Sequence, residues 1–332
     1  MKKISLALLT SAALLSLGAA SSVKAADAYQ EQIQRVISGN VDIYGGYAAI
    51  KDVGSEGDSV CDSDDSPCSW GLAGGSARVD VPFTEALSLQ IDLNSDWNFS
   101  YPDDPDEASA VDRTPAGGVL GGGHLNYRND TYLLGVFGAA GKAYFDDSCC
   151  GTGLSSTLWA GGIEGQWYMD HITLYAQGGF MDSGNPNGEG LSNTWFVRGE
   201  GRYFFSEHSR FMLSAGYANG AQDEDEGSLA DEVDIATWGA RFDHQVHDWG
   251  NDGNMSLFAE YQGLWARETE TEETCCPTYY TEATDALVDH RFMVGVSFAL
   301  NQQSLMSTDR SGATLNLPNF SQWYGAAGMT DR

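Results

Sequence analysis

Residues 86–96 read ALSLQIDLNSD, and their alternation decides the fold. Leu87, Leu89, Ile91 and Leu93 fall on one side of an extended chain; Ser88, Gln90, Asp92 and Asn94 fall on the other. Strand side chains alternate between faces with period two, so the run has one apolar and one polar face. The same holds for RFMVGVSFAL at 291–300, with Phe292, Val294, Val296, Phe298 and Leu300 opposite Met293, Gly295, Ser297 and Ala299. Between Gly39 and Leu300 such runs come in pairs around a short polar turn, and long acidic links join one pair to the next.

Twelve strands follow from this pattern: 40–50, 70–82, 86–97, 117–128, 131–145, 156–169, 171–181, 193–205, 209–219, 233–246, 254–267 and 287–300. Short turns are centred on Pro82–Glu85, Arg128–Asp130, Met169–His171 and Ser206–Ser209, with a slightly longer one at Val246–Asn254. Runs of this length exceed the usual strand of a soluble sandwich and suit a tilted membrane crossing. Phe83, Trp167, Tyr168, Phe204 and Phe205 gather at the turn ends, and Trp70, Tyr144, Trp195 and Trp265 at the loop ends, as two interfacial girdles would. The expected fold class is all-β: an antiparallel transmembrane β-barrel of about twelve strands, apolar outward and polar inward, with no free edge.

The start of the chain reads as a secretory signal peptide over residues 1–25. It has Met1-Lys2-Lys3, an apolar run from Ile4 to Ala20, and small residues up to Ala25. Its loss removes Lys2, Lys3 and Lys24 and leaves 14 of the 17 basic residues against 47 acidic ones, a net charge near −33. That balance excludes nucleic acid as a partner, which would need a basic footprint. Residues 26–38 form a periplasmic lead whose Tyr29, Ile33, Val36 and Ile37 have near-helical spacing. Residues 39–300 form the barrel, and residues 301–332 a periplasmic tail.

Alternating strands, a signal peptide and loops long on one side only resemble a Gram-negative outer-membrane β-barrel protein of porin-like architecture, over residues 39–300. The resemblance implies the outer membrane as location, its lipid as surroundings, and the barrel-assembly machinery as a partner during insertion. It also implies short periplasmic turns and extracellular loops. Such barrels usually end on a strand with a terminal aromatic residue. Here the last clear strand ends at Leu300 and 32 residues follow, so either Phe298 serves internally or Thr314–Phe320 is the closing segment, against which Pro318 counts.

The polar face supplies the candidate lumen. A charge belt is expected from Asp42, Arg78, Asp80, Asp92, Glu164, Arg198, Glu200, Arg202, Arg241, Asp243 and Glu260, joined by Gln90 and Gln166. Toward the loops the interior turns small, at Gly71 or Leu72, Gly74, Gly135, Ala139, Ala160, Gly162, Gly216 and Ala218. In one reading the belt sets selectivity in a narrow passive channel for small polar or cationic solutes, since four arginines face seven acids. In the other the charges pair off and the barrel is non-conducting, its loops serving a structural or partner-binding role.

Six cysteines, Cys61, Cys68, Cys149, Cys150, Cys275 and Cys276, all fall in loops of an exported chain and are expected to form disulfides. Cys61–Cys68 would close a local loop, and the vicinal pairs suggest bridging between the third and sixth long loops. The acidic runs Asp58–Asp65, Asp103–Glu107, Asp223–Glu226 and Glu268–Glu273 read as a solvated surface that attracts cations, with divalent ions among the candidate partners. No metal ligand set, cofactor motif or Ser/His/Asp arrangement is recognisable, so a non-enzymatic protein without cofactor is expected.

Overall fold

The computed structural model describes residues 35–53, 68–100, 113–147, 154–184, 191–222, 231–274, 278–283 and 286–330. Its strands are β1 (Ser38–Val53), β2 (Cys68–Pro82), β3 (Leu87–Ser100), β4 (Arg113–Arg128), β5 (Tyr132–Asp147), β6 (Leu154–Met169), β7 (Ile172–Ser183), β8 (Leu191–Ser206), β9 (Ser209–Gln222), β10 (Asp231–Asp248), β11 (Gly253–Thr274), β12 (Thr278–Ala283) and β13 (Ala286–Leu300). Each strand from β1 to β11 pairs antiparallel with the next, and β13 lies between β11 and β1. Twelve strands thus close into an antiparallel barrel.

All twelve expected strands are present, most extended by a few residues at the loop end. The pairs Gly39↔Leu300 and Ser38↔Asp80 put both barrel ends at the short-turn side. β12 was not foreseen. Among the described residues it pairs only with Thr269–Thr274 of β11, as a hairpin extending that strand at the loop end.

Alternation decides which atoms meet lipid. Ile43, Ile91, Leu134, Val197 and Leu257 point outward, with Ile163 at 69% and Val294 at 66% exposure. Apolar side chains so exposed at mid-strand all round a barrel suit hydrocarbon, whereas in water they would form one large unfavourable patch. Phe83, Trp167, Phe205 and Trp195 also face outward, as the girdles require. Trp70, Tyr168 and Phe204 do not. Their even positions share the inward face with Leu72, Gln166 and Arg202, and all three are buried.

The segment after Leu300 overturns the expectation of a periplasmic tail. Asn301, with φ of 57°, turns the chain; its side-chain amide donates to Ile37 O at 2.8 Å. Helix α1 (Leu305–Ser311) follows, opened by a capping box in which Ser304 and Ser307 satisfy each other's backbone N–H groups. Residues 312–319 run extended, and helix α2 (Phe320–Thr330) packs against β4, β5, β11 and β13. The tail lies inside the barrel and does not pair as a strand, so Thr314–Phe320 is not the closing segment. Close approach requires small wall residues: a Cβ on Gly122 would sit 2.7 Å from Leu317, and one on Gly118 would sit 2.5 Å from Ser321. The apolar tail needs cover, and the small interior provides the room.

Candidate functional site

Of the eleven belt residues, Asp42, Asp80, Asp92, Glu164, Glu200, Arg202 and Asp243 are buried, and Arg78, Arg198, Arg241 and Glu260 line the cavity inside the barrel. On β8, Arg198, Glu200 and Arg202 occupy alternate positions, so one face carries all three while Gly199 and Gly201 meet lipid. Glu200 pairs with both arginines, at 2.7 Å to Arg202. Across the barrel, Asp42 pairs with Arg78 at 2.8 Å and with Arg241 at 3.4 Å. Arg241 also reaches Asp243 at 2.8 Å and its cross-strand partner Glu260 at 3.3 Å, and it lies 3.7 Å from the centre of the Phe258 ring. Asp80 pairs with Arg35 at 2.7 Å. Charges taken out of water remain tolerable only in such mutually satisfied networks.

Asp92 and Glu164 are brought together by a residue outside the expected belt. His124 sits fully buried between them, Nδ1 at 2.7 Å from Glu164 and Nε2 at 3.1 Å from Asp92. Tyr175 donates to Glu164 at 2.8 Å, and Gln90 to Asp92 at 2.6 Å. Arg128, Arg210, Asp96, Asp289 and Arg291 also point inward. Their strand parity was the available signal. Asp309 is different: it comes from α1 and completes the belt by pairing with Arg202 at 2.6 Å. No pattern in the strands announces it.

The tail meets the wall in two ways. Near the turns its backbone is gripped by side chains. Asn254 donates to Gln302 O at 2.9 Å, Gln245 to Gln303 O at 3.0 Å and Arg128 to Gly312 O at 3.0 Å. Gln90 both donates to Leu315 O at 2.8 Å and accepts from Leu315 N at 3.1 Å. Near the loops the contact is aromatic. Phe320 and Trp323 stand edge-on to Phe196, with centroids 5.3 and 5.5 Å away, within a cluster that includes Leu158, Leu191, Val233 and Leu264. Asp96 and Asp289, which pair with Arg291, accept from Ser321 and Gln322.

A polar cavity of about 250 Å³ remains beside the tail, lined by Asp42, Arg78, Arg241, Glu260, Thr308 and Asn316 among others. It has room for several waters. The tail therefore does not fill the lumen completely.

Of the six cysteines only the backbone of Cys68 is described, so the disulfide expectation lies outside the described residues, as do the acidic runs Asp58–Asp65, Asp103–Glu107 and Asp223–Glu226. Signal peptide and most of the N-terminal lead lie outside them too.

A closed ring of twelve antiparallel strands, lipid-facing outside and charged inside, leaves one architecture. This is an outer-membrane-type β-barrel. No family model and no curated protein matches the sequence. Solved structures similar to the barrel include the translocator domain of the autotransporter NalP from Neisseria meningitidis (TM-score 0.43, 11% identity, covering 79% of this chain and 88% of that one). A Pseudomonas aeruginosa FadL homologue matches with a TM-score of 0.41 and 9% identity, over 80% of this chain and 90% of that one. The KdgM porin, solved with disordered oligogalacturonate, matches with 0.35 and 10%, over 77% and 98%.

Proposed function

We propose that the barrel is a non-enzymatic channel of the Gram-negative outer membrane for small polar or cationic solutes, held shut at rest by its own C-terminal tail. One observation carries this reading: the turn-side tail is held by side-chain hydrogen bonds and the Arg202–Asp309 ion pair beside a cavity of about 250 Å³, with no sheet pairing. The neutral bonds trade against water with little net free energy, about 1 kcal/mol each, and none of the tail's contacts belongs to the strand pairing that closes the ring. Short turns face the periplasm, both barrel ends lie there, and the acidic loops outside concentrate cations. Acids outnumber arginines along the wall, which favours cations over anions once the path is open.

Liposome swelling tests the reading. Vesicles holding barrel from which the tail has been cut should admit small neutral and cationic solutes and exclude larger ones. Impermeable vesicles would sink it. The aromatic packing of α2 favours a second reading, a permanent stopper in a non-conducting barrel whose loops bind partners. It predicts no permeability even after the tail is cut.

A further inference from the structure

The stretch Gly312-Ala313-Thr314-Leu315-Asn316-Leu317 sits in the lumen as a bound peptide would. Four of its carbonyls are met by wall side chains: Gly312 O by Arg128, Thr314 O by Arg202, Leu315 O by Gln90, and Asn316 O by Tyr175 and Gln177. Leu315 N–H is met as well, by the same Gln90. Meanwhile Leu315 and Leu317, two positions apart, are buried in apolar clusters, Leu315 being fully enclosed with Leu133, Tyr168 and Tyr175. Main-chain hydrogen bonds with pockets for every second side chain are how proteins bind extended peptides with loose sequence demands. Here the sheet edge is replaced by a row of glutamine, arginine and tyrosine side chains.

A second observation points the same way. Arg128 and Gln177 are buried, yet among the described residues Arg128 Nε and Nη2 and Gln177 Oε1 meet no hydrogen-bond partner. Buried polar atoms left without a partner are uncommon, and these three belong to side chains that hold Gly312 O and Asn316 O. Behind the grip, His124 ties Asp92 to Glu164. Asp92 holds Gln90, and Glu164 holds Tyr175 and Gln177, so the peptide-facing groups are fixed before anything binds.

We infer that the turn-side lumen is a binding site for extended peptides with apolar side chains at alternate positions, and that residues 312–317 occupy it as an internal substitute for such a ligand. The inference rests on the tail being removable, and it adds a ligand class to the channel reading.

The test uses the full chain with a protease site placed at Asn301–Ser304, folded first, then cut and dialysed free of its tail. Three fluorescent octapeptides are then titrated by anisotropy: GATLNLPN, a peptide of unrelated polar residues that keeps the alternate leucines, and GATSNSPN. The first two should bind, and the third at least tenfold more weakly, because each enclosed leucine is worth about a factor of ten or more. Gln90→Leu in the barrel should weaken the first two by a similar factor. If the emptied barrel does not stay folded, uptake of the excess labelled peptides into the cut but undialysed barrel gives the same ranking. Binding of GATLNLPN alone, equal binding of all three, or no binding overturns the inference. Solute permeability of the same sample is read separately: a permeable barrel that ignores the peptides refutes only the peptide site, and an impermeable one that binds them refutes only the channel.

Discussion

The lumen has two halves built on opposite principles. Toward the turns, charged and amide side chains grip α1 and the extended segment, and a cavity of about 250 Å³ remains beside them. Toward the loops, Phe320, Trp323, Ala326 and Ala327 are buried in an apolar cluster, with the Asp96–Arg291–Asp289 group holding one side of the helix. Hydrogen bonds exchange with water and yield little net free energy, whereas burying large apolar side chains yields about 1.5–3 kcal/mol each. The aromatic half therefore supplies most of the hold on the tail, and the polar half supplies its register.

That division can be broken from either side. The largest effect is expected from Phe320→Ala with Trp323→Ala: about 3–5 kcal/mol of anchoring per site should be lost. The tail should then become cleavable by protease in the folded barrel. Unchanged protection would mean that the aromatic cluster does not anchor it. Arg202→Ala comes next. Among the described cations it leaves buried Asp309 with Arg210 alone, at 4.0 Å, and Glu200 with Arg198 alone, at a cost of about 3–5 kcal/mol. Thermal unfolding should fall clearly, with partial recovery when Asp309→Asn is added, and absence of that recovery would refute the pairing. Smaller again is Gln90→Ala, which leaves the Leu315 amide and carbonyl unmet at about 1–3 kcal/mol. Hydrogen exchange at Leu315 should rise while amides in α2 stay protected. Loss of protection in both helices together would show the halves to be one unit.

The barrel was legible because period two is rigid. Once Leu87 and Ile91 face lipid, Ser88, Gln90 and Asp92 must face the lumen, so the belt from Asp42 to Glu260 could be read without a structure. The same parity argues against placing Trp70, Tyr168 and Phe204 in the girdles; position along the strand alone did not reveal their face. The tail was illegible for a different reason. Its two short helices and a polar-flanked extended segment have no common period, and only burial inside the ring makes sense of Leu315, Leu317 and Phe320. One sign was present in the wall: an interior of Gly74, Ala139, Ala160 and Gly162 in a barrel this wide leaves space that something must fill. Asp309 could not be anticipated, because its partner Arg202 lies 107 positions away on a strand with its own acid nearby.

Single-molecule recording in a planar bilayer tests the central claim most directly. One barrel carrying a protease site at Asn301–Ser304 is inserted and recorded, and protease is then added on the turn side. The account predicts a closed or briefly flickering barrel before cutting and a stable, cation-preferring open level afterwards. A stable open level before cutting, or lasting silence after confirmed loss of the tail, would contradict it.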